Sequence, residues 1–137
     1  YEKSDIDPEQ LSFVEAHGTG TQVGDAAEAN AIGNALGKAR KEALPIGSVK
    51  SNIGHLEPVS GLAGVLKSLI AFEHKVLPQS LHLENANELI DFEKKNISLA
   101  SKAVNFSSNH QRLIAGVSSF GFGGTNASLV FSKTECK

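Results

Sequence analysis

The chain of 137 residues contains no methionine and one cysteine, Cys136, next to its last residue. A single cysteine excludes a disulfide framework and a cysteine-based zinc site within the chain. With no methionine to start translation, the expectation is an excerpt of a longer chain in preference to a processed product. No apolar run approaches the ~18 residues that crossing a bilayer takes, so no membrane span is expected. The polar start, YEKSDIDPEQ, does not read as a signal peptide. Without one, the N-x-S triplets at Asn96, Asn105 and Asn126 count for little, and a cytoplasmic location is the default. An excess of one charge is also missing. Thirteen basic against 15 acidic residues leave −2, which gives no footprint for nucleic acid. The densest basic group, Lys38, Arg40 and Lys41, reads as a solvated helix end.

What is present fits one modest core, too small for two complete domains: 40% hydrophobic and 20% charged residues over this length. Asp5 to Pro8 reads as a turn. Leu11 to Ala16 reads as a buried strand, followed by a glycine-rich loop from His17 to Gly24. Asp25 with Glu28 has the spacing of a capping box opening a helix. Ala29, Ile32 and Leu36 share one face of that helix, and Gly37 is its expected stop. Pro45 to Val49 reads as a second strand, followed by the polar loop KSNIGHLE. Pro58 opens a helix to about Lys75 whose apolar residues surround it on most sides, the pattern of a buried helix. Residues 77–109 read as irregular, with short extended pieces and a short helix near Glu88 to Phe92. Arg112 to Ser118 and Ala127 to Phe131 read as strands flanking FGFGGTN. The order implies an α/β sheet with a late antiparallel pair.

The chemistry falls on loops that follow strands, where open α/β sheets bind ligands. His17 and His55 each sit at such a position, and their rings share a cleft if the two strands are neighbours. A structural, hydrogen-bonded histidine is an equal reading of each. His74, His82 and His110 read as structural or surface residues. Gly18-Thr19-Gly20 with Gly24 partly matches a dinucleotide-binding turn. However, its G-x-G-x-x-x-G spacing is one residue too long, and Lys50 stands where the ribose needs an acid. A metal held by His17, His55 and Glu15 or Asp25 lacks a short-range ligand pair. A serine hydrolase lacks the G-x-S-x-G elbow, so Ser118 and Ser119 read as strand-end hydroxyls.

Taken together, EAHGTGT (15–21), KSNIGHLE (50–57) and SFGFGGTN (119–126) resemble the three C-terminal signatures of β-ketoacyl synthases. The form is nearest to type I fatty acid synthases and polyketide synthases, and the resemblance runs from about Asp7 to Phe131. It implies a thiolase-like α/β fold, a mixed sheet with flanking helices, αβαβα in the complete enzyme. This chain would be the C-terminal half, with residues 1–132 as the domain and 133–137 as a tail.

The same resemblance makes His17 and His55 two members of a catalytic triad for decarboxylative Claisen condensation, with Lys50 beside them. Thr19 and Thr21 match residues that bind the pantetheine arm; Phe122, followed by Gly123, matches the aromatic gate of the acyl pocket. Glu57 is expected to hold its loop and Lys67 to form a structural ion pair. No cofactor is bound directly, since the substrate rides on the phosphopantetheine of an acyl carrier protein. That carrier, the N-terminal half and a second copy, as a homodimer, are the implied partners. The family's nucleophilic cysteine belongs to an upstream motif that nothing here matches, and Cys136 is a poor substitute. The chain alone is therefore expected to be inactive and to expose apolar surface. A chain-length-factor-like partner or a decarboxylase-type homologue is the alternative, and a nucleotide-binding module the third.

Overall fold

The computed structural model describes residues 5–106 and 112–134; His110 and Cys136 lie outside them. Its centre is a five-stranded mixed sheet. Strands β1 (Phe13–Glu15), β2 (Leu44–Gly47), β4 (Ile97–Leu99), β6 (Arg112–Phe120) and β7 (Asn126–Thr134) lie in the order β4-β2-β1-β6-β7. A second sheet is only the antiparallel pair β3 (Val76–Leu77) and β5 (Val104–Asn105). In the main sheet β1 pairs parallel with β2 and β6, and β2 with β4. Strand β7 pairs antiparallel with β6 from Arg112↔Thr134 to Phe120↔Asn126. It therefore runs on through Lys133 and Thr134, into the stretch expected as a tail.

Helices cover both faces, and the two-residue alternation of strand side chains divides the core accordingly. Val14 and Ile114 pack with Ala29 and Ile32 of α1 (Gln22–Ala35) and with Leu36, which caps it. Phe13, Leu113 and Ala115 turn the other way, onto Ala71 and Phe72 of α3 (Ser60–His74). Between these helices in sequence, α2 (Lys50–Ile53) is a single turn. The late antiparallel pair, the apolar face of α1 and the extent of α3 all match the expectations from sequence.

Four expectations change. Asp25 and Glu28 do not form a capping box, because α1 already begins at Gln22 and both side chains bond the preceding loop instead. Arg40 is not a solvated helix end: its guanidinium donates to the Pro8 and Leu11 carbonyls. Residues 77–109 contribute β4 to the main sheet, and their short helix is α4 (Phe92–Lys95), slightly later than expected. Asn96, left-handed at φ 51°, ends α4, and its Nδ2 donates to the carbonyls of Gly37 (3.0 Å) and Arg40 (2.9 Å). That tertiary anchor, which no local pattern announces, sets β4 into register.

The fourth change concerns α3. It is not buried all round: the face on the sheet carries Ser60, Gly64, Lys67, Ser68, Ala71 and Phe72. Leu62, Leu66, Leu69 and Ile70 are half exposed or more, Leu62 at 70%. Glycines explain the orientation. A Cβ on Gly64 would lie 3.1 Å from Glu15 Cγ, and one on Gly61 would lie 3.1 Å from Ser119 Oγ. Small residues let the helix close onto β1 and β6, and the large aliphatic side chains point away. Lys67 reaches inward to Glu15 at 2.7 Å, the two side chains 7% and 2% exposed, so the expected ion pair is buried. Glu15 also accepts the Val49 amide.

Candidate active site

Because β1 and β2 are parallel neighbours, the loops leaving their carboxyl ends lie side by side. The rings of His17 and His55 meet edge-on there, centroids 5.5 Å apart and planes at 85°. Gly18 makes the approach possible. Its φ is +46°, and a Cβ would lie 2.8 Å from Ser48 Cβ, so both conformation and space require glycine.

Glu28 reaches back from α1 and uses both carboxylate oxygens, accepting the His17 amide at 2.8 Å and the Gly18 amide at 3.0 Å. Burial pushes its carboxyl above the usual carboxylate range, and the two amides pull it back. Asp25 accepts the Gly20 amide at 3.2 Å. From the other loop, the Lys50 ammonium donates to the carbonyl of His17. His17 is therefore gripped on both sides by its backbone. Its ring packs 5.3 Å from that of Phe120, and its buried Nδ1 has no hydrogen-bond partner among the described residues. Burial, then the Lys50 charge, then His55 lower the His17 pKa from its ordinary value, against a smaller pull from Asp25. The neutral ring is thereby favoured.

His55 is held through its ring. Nδ1 accepts the Glu57 amide at 2.9 Å and lies 2.8 Å from Ser60 Oγ. A hydroxyl can rotate to donate or accept, but a peptide N–H can only donate. The Glu57 amide therefore requires the lone pair on Nδ1, and the neutral ring carries its proton on Nε2. Glu57 holds the loop as expected, but with its backbone, at a left-handed φ of 49°; its side chain is exposed.

Residues 1–84 match the family model described as the β-ketoacyl synthase C-terminal domain. The chain belongs to that family. It is 42% identical over 137 residues to a phenolphthiocerol/phthiocerol polyketide synthase of Mycobacterium tuberculosis, covering 98% of this chain and 7% of that protein. With a highly reducing polyketide synthase of Penicillium oxalicum the identity is 43%, over 98% of this chain and 5% of the relative. The ketosynthase from module 6 of the bacillaene synthase of Bacillus subtilis 168 superimposes with a TM-score of 0.92 at 38% identity. That match covers 98% of this chain and 25% of the ketosynthase. The chain thus spans a small fraction of the polyketide synthases it matches, and its α/β sheet with flanking helices is the thiolase-like ketosynthase fold.

Within this ketosynthase C-terminal domain, other expected site residues gather less tightly. Thr19 and Thr21 are exposed, their hydroxyls 3.4 Å apart. Phe122 and Gly123 lie in the β6–β7 turn, and Phe122 is fully exposed, touching neither histidine ring. Phe120, two residues earlier, is the aromatic on His17, and sequence reasoning passed over it. It also missed Ser60 and gave Glu28 a local role. The spacing of Glu28 from Asp25 imitates a cap, and nothing in the local sequence marks either residue as a partner of a histidine loop. A cavity of about 860 Å³ opens between α1 and residues 80–92. Gly18, Thr19, Asp25 and Lys50 line it, but neither histidine does. No cluster of three or more metal-ligating side chains exists among the described residues.

Proposed function

We propose that this domain supplies the two histidines of a ketosynthase that joins an acyl thioester to a malonyl unit on acyl carrier protein. The observation that carries the reading is the pair His17 and His55, rings 5.5 Å apart in loops that follow neighbouring strands, with the Glu57 amide on His55 Nδ1, which leaves that ring's proton to Nε2. Condensation begins with an acyl group on a cysteine thiolate, which the family resemblance places in a half of the enzyme outside this sequence. Malonyl thioester then loses carbon dioxide. The electron pair of the broken C–C bond becomes an enolate, whose carbon attacks the acyl carbonyl. The tetrahedral intermediate collapses, expelling the cysteine thiolate and leaving a β-ketoacyl chain on the carrier. Charge on the malonyl thioester oxygen is the main electrostatic demand, and a ring N–H donor answers it in a dry site. Loss of one such donor typically costs ~10²–10³ in rate. Lys50 serves by disfavouring protonation of His17, so that the ring stays neutral.

The finer parts of this reading follow the resemblance. Thr19 and Thr21 contact the pantetheine arm, and Phe122 with Gly123 meets the acyl chain. The parent is a cytoplasmic homodimer that takes substrate from the phosphopantetheine of acyl carrier protein. The polyketide synthase relatives favour a polyketide over a fatty acid product.

The test is single-turnover condensation in the full-length protein carrying His17→Ala or His55→Ala. Each variant should still accept the acyl group and lose about 10²–10³ in condensation rate. Undiminished condensation in both would end this reading. A wild-type protein that releases carbon dioxide from malonyl thioester but forms no β-ketoacyl product would be a decarboxylase-type homologue.

A further inference from the structure

A serine at the start of a helix is ordinarily read as a cap whose oxygen accepts an amide of the first turn. Ser60 is placed otherwise. A 3-10 turn over Glu57–Val59 runs directly into α3, and the Ser60 amide is already bonded to the Glu57 carbonyl, so the residue sits inside the helical segment. Its side chain is buried, at 4% exposed, and Oγ lies 2.8 Å from His55 Nδ1. Its backbone is fixed, because Gly61 brings this first turn hard against Ser119 of β6.

The direction of the bond follows from the neighbouring amide. Glu57 N–H is an obligatory donor to Nδ1, so that nitrogen has a lone pair and no proton to give. The Ser60 hydroxyl must then donate as well. One amide can anchor the ring but leaves it free to tilt about that contact. A second donor, from a different element, removes the freedom.

We propose that Ser60 is a positioning residue for the condensation, acting through His55: its hydroxyl donates to Nδ1, fixes the ring's rotation and keeps the proton on Nε2. This rests on the catalytic reading of His55 given above. It adds a residue to the site at the junction of the His55 loop and α3, so the helix that carries the outward aliphatic face also sets a catalytic donor.

The experiment is a double-mutant cycle in the full-length protein, read as single-turnover condensation. Ser60→Ala should lower the condensation rate about 2- to 12-fold, the worth of one net hydrogen bond. The KM for the malonyl thioester and the rate of acyl loading should not change. Ser60→Thr, which keeps the hydroxyl, should recover most of the loss. On a His55→Ala background, Ser60→Ala should cost nothing further, because the ring it holds is gone. An unchanged rate in Ser60→Ala would overturn the proposal, and so would an equal loss on both backgrounds, which marks a merely structural role. His55→Ala with full condensation would instead sink the catalytic reading itself. The two failures are therefore distinguishable.

Discussion

His17 and His55 leave parallel neighbouring strands and face each other across 5.5 Å, yet the protein holds them by opposite ends. His17 is gripped through its backbone, by Glu28 on the amide and Lys50 on the carbonyl, while its Nδ1 has no hydrogen-bond partner among the described residues. His55 is gripped through its ring, by the Glu57 amide and the Ser60 hydroxyl on Nδ1. The first arrangement leaves the tautomer to the surroundings and tunes charge by burial and by Lys50. The second dictates the tautomer by hydrogen bonding. Two residues of one type, in loops that follow neighbouring strands, are thus prepared by different physics.

The largest test of that contrast is Glu57→Pro. Proline lacks the N–H that fixes His55 and holds φ near −65°, where Glu57 needs +49°. Condensation should fall about as far as in His55→Ala, ~10²–10³. Glu57→Gln keeps the backbone and changes only an exposed side chain, so its stability should stay within about 0.5 kcal/mol of the parent. An equal fall in condensation rate in the two variants would break the claim that the amide is the working group.

On the His17 side, Glu28→Ala should cost stability first. It leaves two loop amides without their carboxylate, at about 1–3 kcal/mol each where no water replaces it. Thermal melting of the variant checks this, and an unchanged midpoint would show that the loop holds itself.

A subtler effect comes from pH. The His17 pKa is lowered, so as pH falls the unfolded chain takes up the proton before the folded one does. Its contribution to stability is complete above the ordinary imidazole value and is lost as pH drops below that value toward the lowered one. The neutral ring survives further into acid by the same margin. Lys50→Met removes one cause of the lowering. The acid limb of the condensation rate should move to higher pH, but only part of the way, since burial is the larger cause. An acid limb that stays in place would mean that Lys50 acts on His17 only through its carbonyl.

How much of this was legible depended on range. The strand-then-loop pattern placed His17 and His55 correctly because it needs only hydrophobic runs and glycine. The face of α1 was legible for the same reason, with Ala29, Ile32 and Leu36 spaced for one side of a helix. Glu28 was misassigned because a capping box and a tertiary carboxylate clamp share the same residue types and spacing. Helix α3 misled in another way. Its apolar content is high on every side, and hydrophobicity alone did not reveal that small residues would take the inner face. Strand β4 escaped because three residues are too few for an alternation, and Asn96 supplies its anchor from outside.

By itself the sequence determined the three signature loops, their order after strands, and the glycine at position 18 where the backbone turns left-handed against a neighbour, although Glu57 and Asn96 turn left-handed without one. These are consequences of local sterics and periodicity, which any stretch of chain carries with it. The tertiary structure alone decided that β1 and β2 are neighbours, and so that two imidazoles meet. It also decided that Glu57 and Ser60 share one ring nitrogen, and that Lys67 turns inward to Glu15. Those outcomes depend on distances between segments far apart in the chain or on a folded loop's exact course, and no local pattern encodes either one.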